Sequence, residues 1–323
     1  MSYEEPSAYS LMDENGQEVL IHQGEGGEQG DALMPMLFSL GLDQSLRIAQ
    51  SRLQPNETLL AYLDDLYILT TPERAYDAYN IVTQTVYESC GISPNLGKTV
   101  CWNKAGIIPP RIEELGPEVW KGQGNLHERG LRILGSPFGT AEFIHDFGEQ
   151  HIDKARQFIG KISELPELQH AWLMQYYCLM PRLNHLLRQV PPSQIASTAQ
   201  AFNDITTESL QNLLTGDALT VLPPDAIKQA RLPPRFAGLG LRDAARTSTA
   251  AYFSSFADIL PTLQSRHPQI LTYIRNYLQS SPDTRSQTIS NLDELESCRN
   301  RLATYLDLPD WDTLIQGARP PVA

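Results

Sequence analysis

Short apolar runs broken by turns dominate the first seventy residues, and helical spacing takes over from about residue 144. Residues 7–23 hold two short stretches around Asp13-Glu14-Asn15-Gly16, and the Asn-Gly pair predicts a strand–turn–strand hairpin. Residues 24–31 form a glycine-rich loop by composition. Asp31 is suited to cap a helix starting at Ala32, with Pro35 tolerated in the first turn. Leu33, Leu37, Phe38 and Leu40 give that helix an apolar face, and it is expected to run to about Arg52. Next, Leu59-Leu60-Ala61 and Leu66-Tyr67-Ile68-Leu69 read as two short buried strands, with Asp64 and Asp65 at the bend between them. Ala75, Tyr79, Val82 and Val86 mark one stripe of a helix over 72–90, which Gly91 stops. Residues 92–102 read as a loop entering a strand, and 103–130 as a Gly/Pro-rich connector. Residues 131–139 read as a strand and turn.

Beyond that point the spacing is helical. Ile152, Ala155, Ile159 and Ile162 share one face. Trp172, Tyr176, Met180, Leu183 and Leu187 share another, with a kink expected at Pro181. Residues 194–214 and 248–280 also predict helices, and Pro-Pro pairs at 191–192, 223–224 and 233–234 punctuate them. The pattern predicts an α+β chain. Residues 1–145 would combine antiparallel strands with packed helices, and residues 146–323 would be all-helical.

Composition narrows the class. Hydrophobic residues make up 41% of the 323, enough for a globular core. No apolar run nears the ~20 residues of a membrane helix. The N-terminus lacks the basic-then-apolar pattern of a signal peptide. The four cysteines, Cys90, Cys101, Cys178 and Cys298, are scattered, which argues against a zinc site or disulfide framework. An intracellular location, nucleus or cytoplasm rather than secreted, is expected.

Net charge is −13, unevenly spread: residues 1–97 carry 15 acidic and 3 basic residues. The remaining 23 acidic and 22 basic residues nearly balance. Any grip on phosphate must therefore come from the later part of the chain, or from sequence outside it.

Asp64-Asp65 is the candidate chemistry. Two adjacent carboxylates held half-buried repel each other unless a cation neutralises them. Mg²⁺ takes a few carboxylates together with phosphate oxygens. The competing reading is an exposed turn that happens to carry two acids. The Gly24–Asp31 loop fits neither phosphate-binding glycine pattern, and Glu25 and Glu28 would repel phosphate. His145, Asp146, Glu149, His151 and Asp153 match no zinc spacing and read as a solvated helix start. No Gly-x-Ser-x-Gly supports serine hydrolysis. Trp172, Tyr176 and Tyr177 read as core residues more readily than as base-stacking platforms.

Gln29 to Phe38, Tyr62 to Asp65, Gly91 to Thr99 and Leu134-Gly135, taken in order, resemble segments of reverse transcriptases of non-LTR retrotransposons. Gln29-Gly30-Asp31-Ala32-Leu33-Met34-Pro35-Met36-Leu37-Phe38 is similar to their Gln-Gly-Asp-Pro-Leu-Ser-Pro-Leu-Leu-Phe segment. Tyr62-Leu63-Asp64-Asp65 resembles their Tyr-x-Asp-Asp hairpin. Gly91 to Thr99 resembles their Gly-Leu-x-x-Asn-x-x-Lys-Thr loop, with Asn95 and Lys98 matching. Leu134-Gly135 resembles their primer-gripping turn. Residues 150–323 resemble the helical thumb region loosely, and Arg235 to Arg242 resembles a glycine segment beyond it.

The resemblance implies a partial polymerase palm followed by a thumb-like helical region. It implies an RNA-directed DNA polymerase, adding nucleotides to a primer 3′ end by two-metal phosphoryl transfer. Asp64 and Asp65 would be catalytic and would hold Mg²⁺ or Mn²⁺. Lys98 would serve the triphosphate, and Gln29, Gly30 and Tyr62 would contact the nucleotide. Leu134 and Gly135 would position the primer. RNA template, DNA primer and dNTP would be the partners, with no membrane. Residues 1–22 lack the family's Asp-x-x-x-Ala-Phe-like strand with its first catalytic aspartate, and the basic fingers have no counterpart either. The chain therefore reads as truncated at its N-terminal side and inactive alone. Leu63 stands where the family commonly has Ala or Met. The alternative implied is a catalytically inactive remnant, a globular or interaction protein. A separate metal-dependent nuclease is disfavoured, because no further acidic cluster joins the pair.

With its acidic excess on residues 1–97, the chain is expected to bind duplex nucleic acid weakly and with strong salt dependence. A gel shift at low and at physiological salt reads this. Tight binding that ignores salt contradicts it.

Overall fold

The computed structural model describes residues 8–22, 24, 30–216, 220–280, 285 and 289–319. The chain divides into two compact units, Met1–Gly122 and Gln123–Ala323.

In the N-terminal unit, β1 (Ala8–Met12) and β2 (Glu18–His22) form the antiparallel hairpin expected from Asn15-Gly16. The Asp13 carboxylate accepts the N–H groups of Asn15 and Gln17, and Gly16 takes φ +74°. α1 (Met34–Arg52) starts later than Ala32, because Asp31 accepts the Leu33 N–H and closes a turn ahead of it. α1 packs on α2 (Ala75–Cys90), which ends at Gly91 with φ +69°. Leu42, Ala49, Leu53, Ala78, Val82 and Val86 form their core. β3 (Thr58–Tyr62) and β4 (Asp65–Leu69) pair antiparallel, with Tyr62 opposite Asp65. Strand periodicity turns Leu59, Leu66 and Ile68 to this core. The other face carries Leu60 and Tyr62 to solvent, so the strands are half-buried rather than buried on both faces. The strand expected at 99–102 is a single parallel bridge, Cys101 to Trp120. The connector folds back on α2, where Glu114 accepts from Tyr76 and Arg111.

The second unit begins with β5 (Gly130–Ile133) and β6 (Ser136–Gly139), another two-stranded hairpin. The unit boundary thus falls at 122/123, ahead of the expected 145/146. The reason is packing: the β5–β6 hairpin lies on α3 (Ala141–Ser163). A Cβ at Gly130 or Gly139 would collide with the Phe143 ring of α3, at 2.4 and 2.7 Å. Thr140 caps α3 by accepting the Phe143 N–H. Among the described residues each strand pair forms a two-stranded ladder.

The expected 172–187 helix is broken into α4 (Leu168–Met174), a π turn at Gln175–Leu179, a 3-10 turn at Met180–Leu183, and α5 (Asn184–Gln189). Pro181 lacks the N–H that would continue the helix, so the hydrogen-bond period changes around it. α6 (Pro192–Thr215), α7 (Pro224–Arg231), α8 (Ala244–Arg266), α9 (Pro268–Gln279), α10 (Ser290–Ala303) and α11 (Trp311–Ile315) follow. The proline pairs start helical turns rather than ending them. Pro192 and Pro224 open α6 and α7, and Pro234 opens a 3-10 turn. A first helical residue needs no N–H donor, and its fixed φ suits the helix. One core gathers Ile152, Leu179, Leu186, Ile195 and Phe202, and another gathers Tyr252, Phe253, Leu260, Leu295 and Leu314. Among the described residues no helix is long and apolar enough to cross a membrane.

Glu57 has a fully buried side chain in the N-terminal core region, paired with Arg74 at 3.2 Å. Glu57→Ala removes the acceptor of the Gln54 N–H and the Thr70 hydroxyl, while Arg74 keeps Asp77 at 2.9 Å, and is expected to cost about 2 kcal/mol. Urea denaturation measures it; a change below ~1 kcal/mol contradicts the assignment.

Candidate functional site

The β3–β4 turn is two residues long, Leu63-Asp64. Leu63 sits at φ +55°, a left-handed conformation that disfavours branched side chains. Asp64 completes the turn, and Asp65 opens β4. Both carboxylates are exposed, not half-buried as the sequence suggested. A two-residue turn lifts them beyond the reach of the α1–α2 core, so water solvates them. Tyr62, 59% exposed, faces Asp65 across the ladder. The Tyr67 hydroxyl donates to Asp65 Oδ2 at 3.3 Å.

The foot of this hairpin is held more tightly than its tip. The Glu57 carboxylate accepts from the Gln54 N–H (2.8 Å), the Thr70 hydroxyl (2.7 Å) and the Arg74 guanidinium. Burial pushes this carboxyl up, but those hydrogen bonds outweigh it and hold it below its ordinary value. The Gln50 side chain donates to the Glu57 carbonyl and accepts the Leu59 N–H, tying α1 to β3. Thus α1, both strand ends and the start of α2 converge on one acid. Periodicity could not reveal this: Glu57 lies in a polar Gln-Pro-Asn-Glu turn, and Arg74 is 17 residues away. A lone acid just ahead of an apolar strand was the one available signal.

The other expected site residues spread around this unit. Gly30 is exposed at φ +99°, a conformation that favours glycine. Gln29 lies outside the described residues. Lys98 is exposed at the end of a 3-10 turn, Leu96–Lys98. Asn95 builds that turn by accepting the Gly97 N–H, while its carbonyl accepts from Lys98 and Thr99. Among the described residues no hydrogen bond or ion pair joins Gly30 or Lys98 to Asp64 or Asp65.

Leu134 and Gly135 form the two-residue turn of β5–β6, at φ +46° and +83°. Leu134 is 46% exposed. His185 of α5 braces this turn: its Nε2 lies 3.1 Å from both the Leu134 carbonyl and the Ser136 hydroxyl. This brace is a second feature that sequence spacing could not find.

Were a metal held here, Asp64 and Asp65 would supply one carboxylate flank. Among the described residues no group of three or more His, Cys, Asp or Glu side chains is placed to hold an ion. The pair does not by itself make a complete two-metal site. His127 and His145 both approach Asp146, at 2.7 and 3.7 Å, but this too remains outside any such group.

The chain is 27% identical over 248 residues to the retrotransposable element SLACS 132 kDa protein of Trypanosoma brucei gambiense. The match covers 74% of this chain and 19% of that protein, so the chain spans about a fifth of its relative. No protein-family model and no solved structure matches the chain. The similarity connects the chain to retrotransposable elements.

The left-handed Leu63 makes a local test. Asn tolerates this conformation better than Leu, so Leu63→Asn should stabilise the chain by about 0.5 kcal/mol. A urea midpoint that falls instead would show that the Leu63 side chain packs more than its strain costs.

Proposed function

We propose that this chain is a reverse transcriptase segment of a non-LTR retroelement: a partial palm followed by a thumb-like helical region. One observation carries the reading. Tyr62-Leu63-Asp64-Asp65 spans the two-residue turn of an antiparallel hairpin, with both carboxylates open to solvent. The SLACS similarity supports a retroelement origin and stops there.

On this reading Asp64, with Asp65 beside it, is the carboxylate flank for Mg²⁺ or Mn²⁺. Bound metal would supply the positive charge that nucleotide phosphates need. Lys98 is an exposed cation suited to a triphosphate. Gly30 leaves backbone open beside the nucleotide, and Leu134-Gly135 presents a strained, exposed turn to a primer. RNA template, DNA primer and dNTP are the proposed partners. Since the described residues complete only one flank, no phosphoryl-transfer step is assigned to them. The second reading, a catalytically silent remnant, draws on the lack of a third ligand among the described residues.

Two measurements test the reading. Mn²⁺ with dNTP should broaden NMR signals around Tyr62–Leu66, and Asp64→Ala should weaken that effect roughly tenfold or more. Broadening centred elsewhere overturns the assignment. In primer extension on an RNA template, with Mg²⁺ and then Mn²⁺, this chain should not exceed its Asp64→Ala variant. A missing ligand removes on the order of several kcal/mol of charge stabilisation, and each ~1.4 kcal/mol is tenfold in rate. Extension above the variant would mean another carboxylate completes the site, with Asp13 the first to substitute.

A further inference from the structure

A second surface, in the C-terminal unit, has the chemistry of a ligand site. Its two halves meet at Gly240. One half is the π turn Gln175–Leu179. Gln175 anchors it from inside, donating to the Thr206 carbonyl and accepting from the Ser209 hydroxyl. Tyr176 is partly buried against the cluster of Met180, Leu210, Ala230 and Leu241, whereas Tyr177 is 68% exposed. The two rings meet edge to face, centroids 4.8 Å apart. The other half is the loop from Pro233 to Asp243. It is rigid by construction: Leu239 and Leu241 N–H donate to the Ala230 carbonyl, and Gly240 N–H donates to Leu232. A Cβ at Gly238 would lie 1.9 Å from the Leu232 carbonyl oxygen. A Cβ at Gly240 would lie 2.9 Å from the Tyr176 ring and 3.4 Å from Pro234. Tyr176 and Pro234 therefore cover the same glycine, and Tyr177 and Arg235-Phe236 are the residues that follow them directly in the chain.

This tightly tied loop exposes an aromatic ring. Phe236 is 59% exposed, and the Arg235 guanidinium lies 5.0 Å from its centroid. Arg235 and Arg242 make no ion pair among the described residues, although Arg231 beside them is neutralised by Asp243 at 2.8 Å. Open rings with uncompensated cations, in a chain of net charge −13, call for an anionic ligand with flat faces.

We propose that Tyr177, Phe236, Arg235 and Arg242 form a binding face for single-stranded nucleic acid. Bases stack on the two rings, and the arginines take backbone phosphates. A duplex hides its base faces and fits poorly. The face is independent of Asp64 and Asp65, and its binding needs neither metal nor dNTP.

Fluorescence anisotropy with a short labelled oligothymidylate at low salt, without metal or dNTP, tests the proposal. Tyr177→Ala and Phe236→Ala should each weaken binding about 5- to 100-fold. Tyr177→Phe and Phe236→Tyr should hold it within about twofold, since the ring is what binds. Arg235→Gln should flatten the salt dependence by roughly 0.7 in log–log slope. Tyr305→Ala, an equally exposed tyrosine elsewhere in the unit, should change nothing. Crosslinking a 5-iodouracil oligonucleotide to the unaltered chain should place adducts on Tyr177 or Phe236, a readout that needs no variant. No binding, equal affinity for duplex, alanine variants that bind normally, or adducts confined elsewhere each overturns it. Because no extension is measured, failure of the polymerase reading leaves these outcomes intact.

Discussion

A carboxylate taken out of water must be met by donors, and Glu57 imposes that constraint on the N-terminal unit. Its donors come from the end of α1, from the residue after β4 and from the turn that starts α2. None of these elements can shift without leaving the charge unpaired. The α1–α2 core is small, so this polar node adds the directionality that apolar contacts lack. The Asp64-Asp65 tip therefore projects from a fixed foot while remaining in solvent itself.

Both turns that carry candidate chemistry share one backbone feature. Each is a two-residue hairpin turn whose first residue is a leucine in the left-handed region, Leu63 and Leu134. An apolar branched residue there costs about 1 kcal/mol or more per position. Turn stability alone would favour Asn or Gly at these places. The flanking ladders impose the conformation, and in β5–β6 the His185 contact adds to it. Such local conflict is the kind of departure that functional turns carry.

On the two proposals, charge divides the work between the units. The acidic excess of residues 1–97 suits cation binding at the Asp64-Asp65 tip and disfavours any hold on a phosphate backbone there. The uncompensated arginines at the Pro233–Asp243 loop lie in the other unit, on a scaffold of glycines packed against carbonyl and ring. The similarity to a retrotransposable element protein is compatible with this division without specifying either site.

The sequence by itself determined the elements whose cause is local. Asn15-Gly16 dictated the first hairpin, Gly91 the end of α2, and apolar flanks around paired acids the β3–β4 hairpin. Helical spacing marked α3, α6 and one stretch over 248–280, which Pro268 splits into α8 and α9, because a 3.6-residue stripe is visible along the chain. Tertiary structure alone decided the rest. The unit boundary moved to Gly122 because Phe143 packs on two glycines of a preceding hairpin. The 172–187 helix broke around Pro181, with Gln175 tied to α6. Tyr176 lies over Gly240, where a Cβ would meet its ring, while Tyr177 stays exposed, and Glu57 found its arginine 17 residues away. Those outcomes depend on distances in space between residues far apart in sequence, and no periodicity along the chain encodes them.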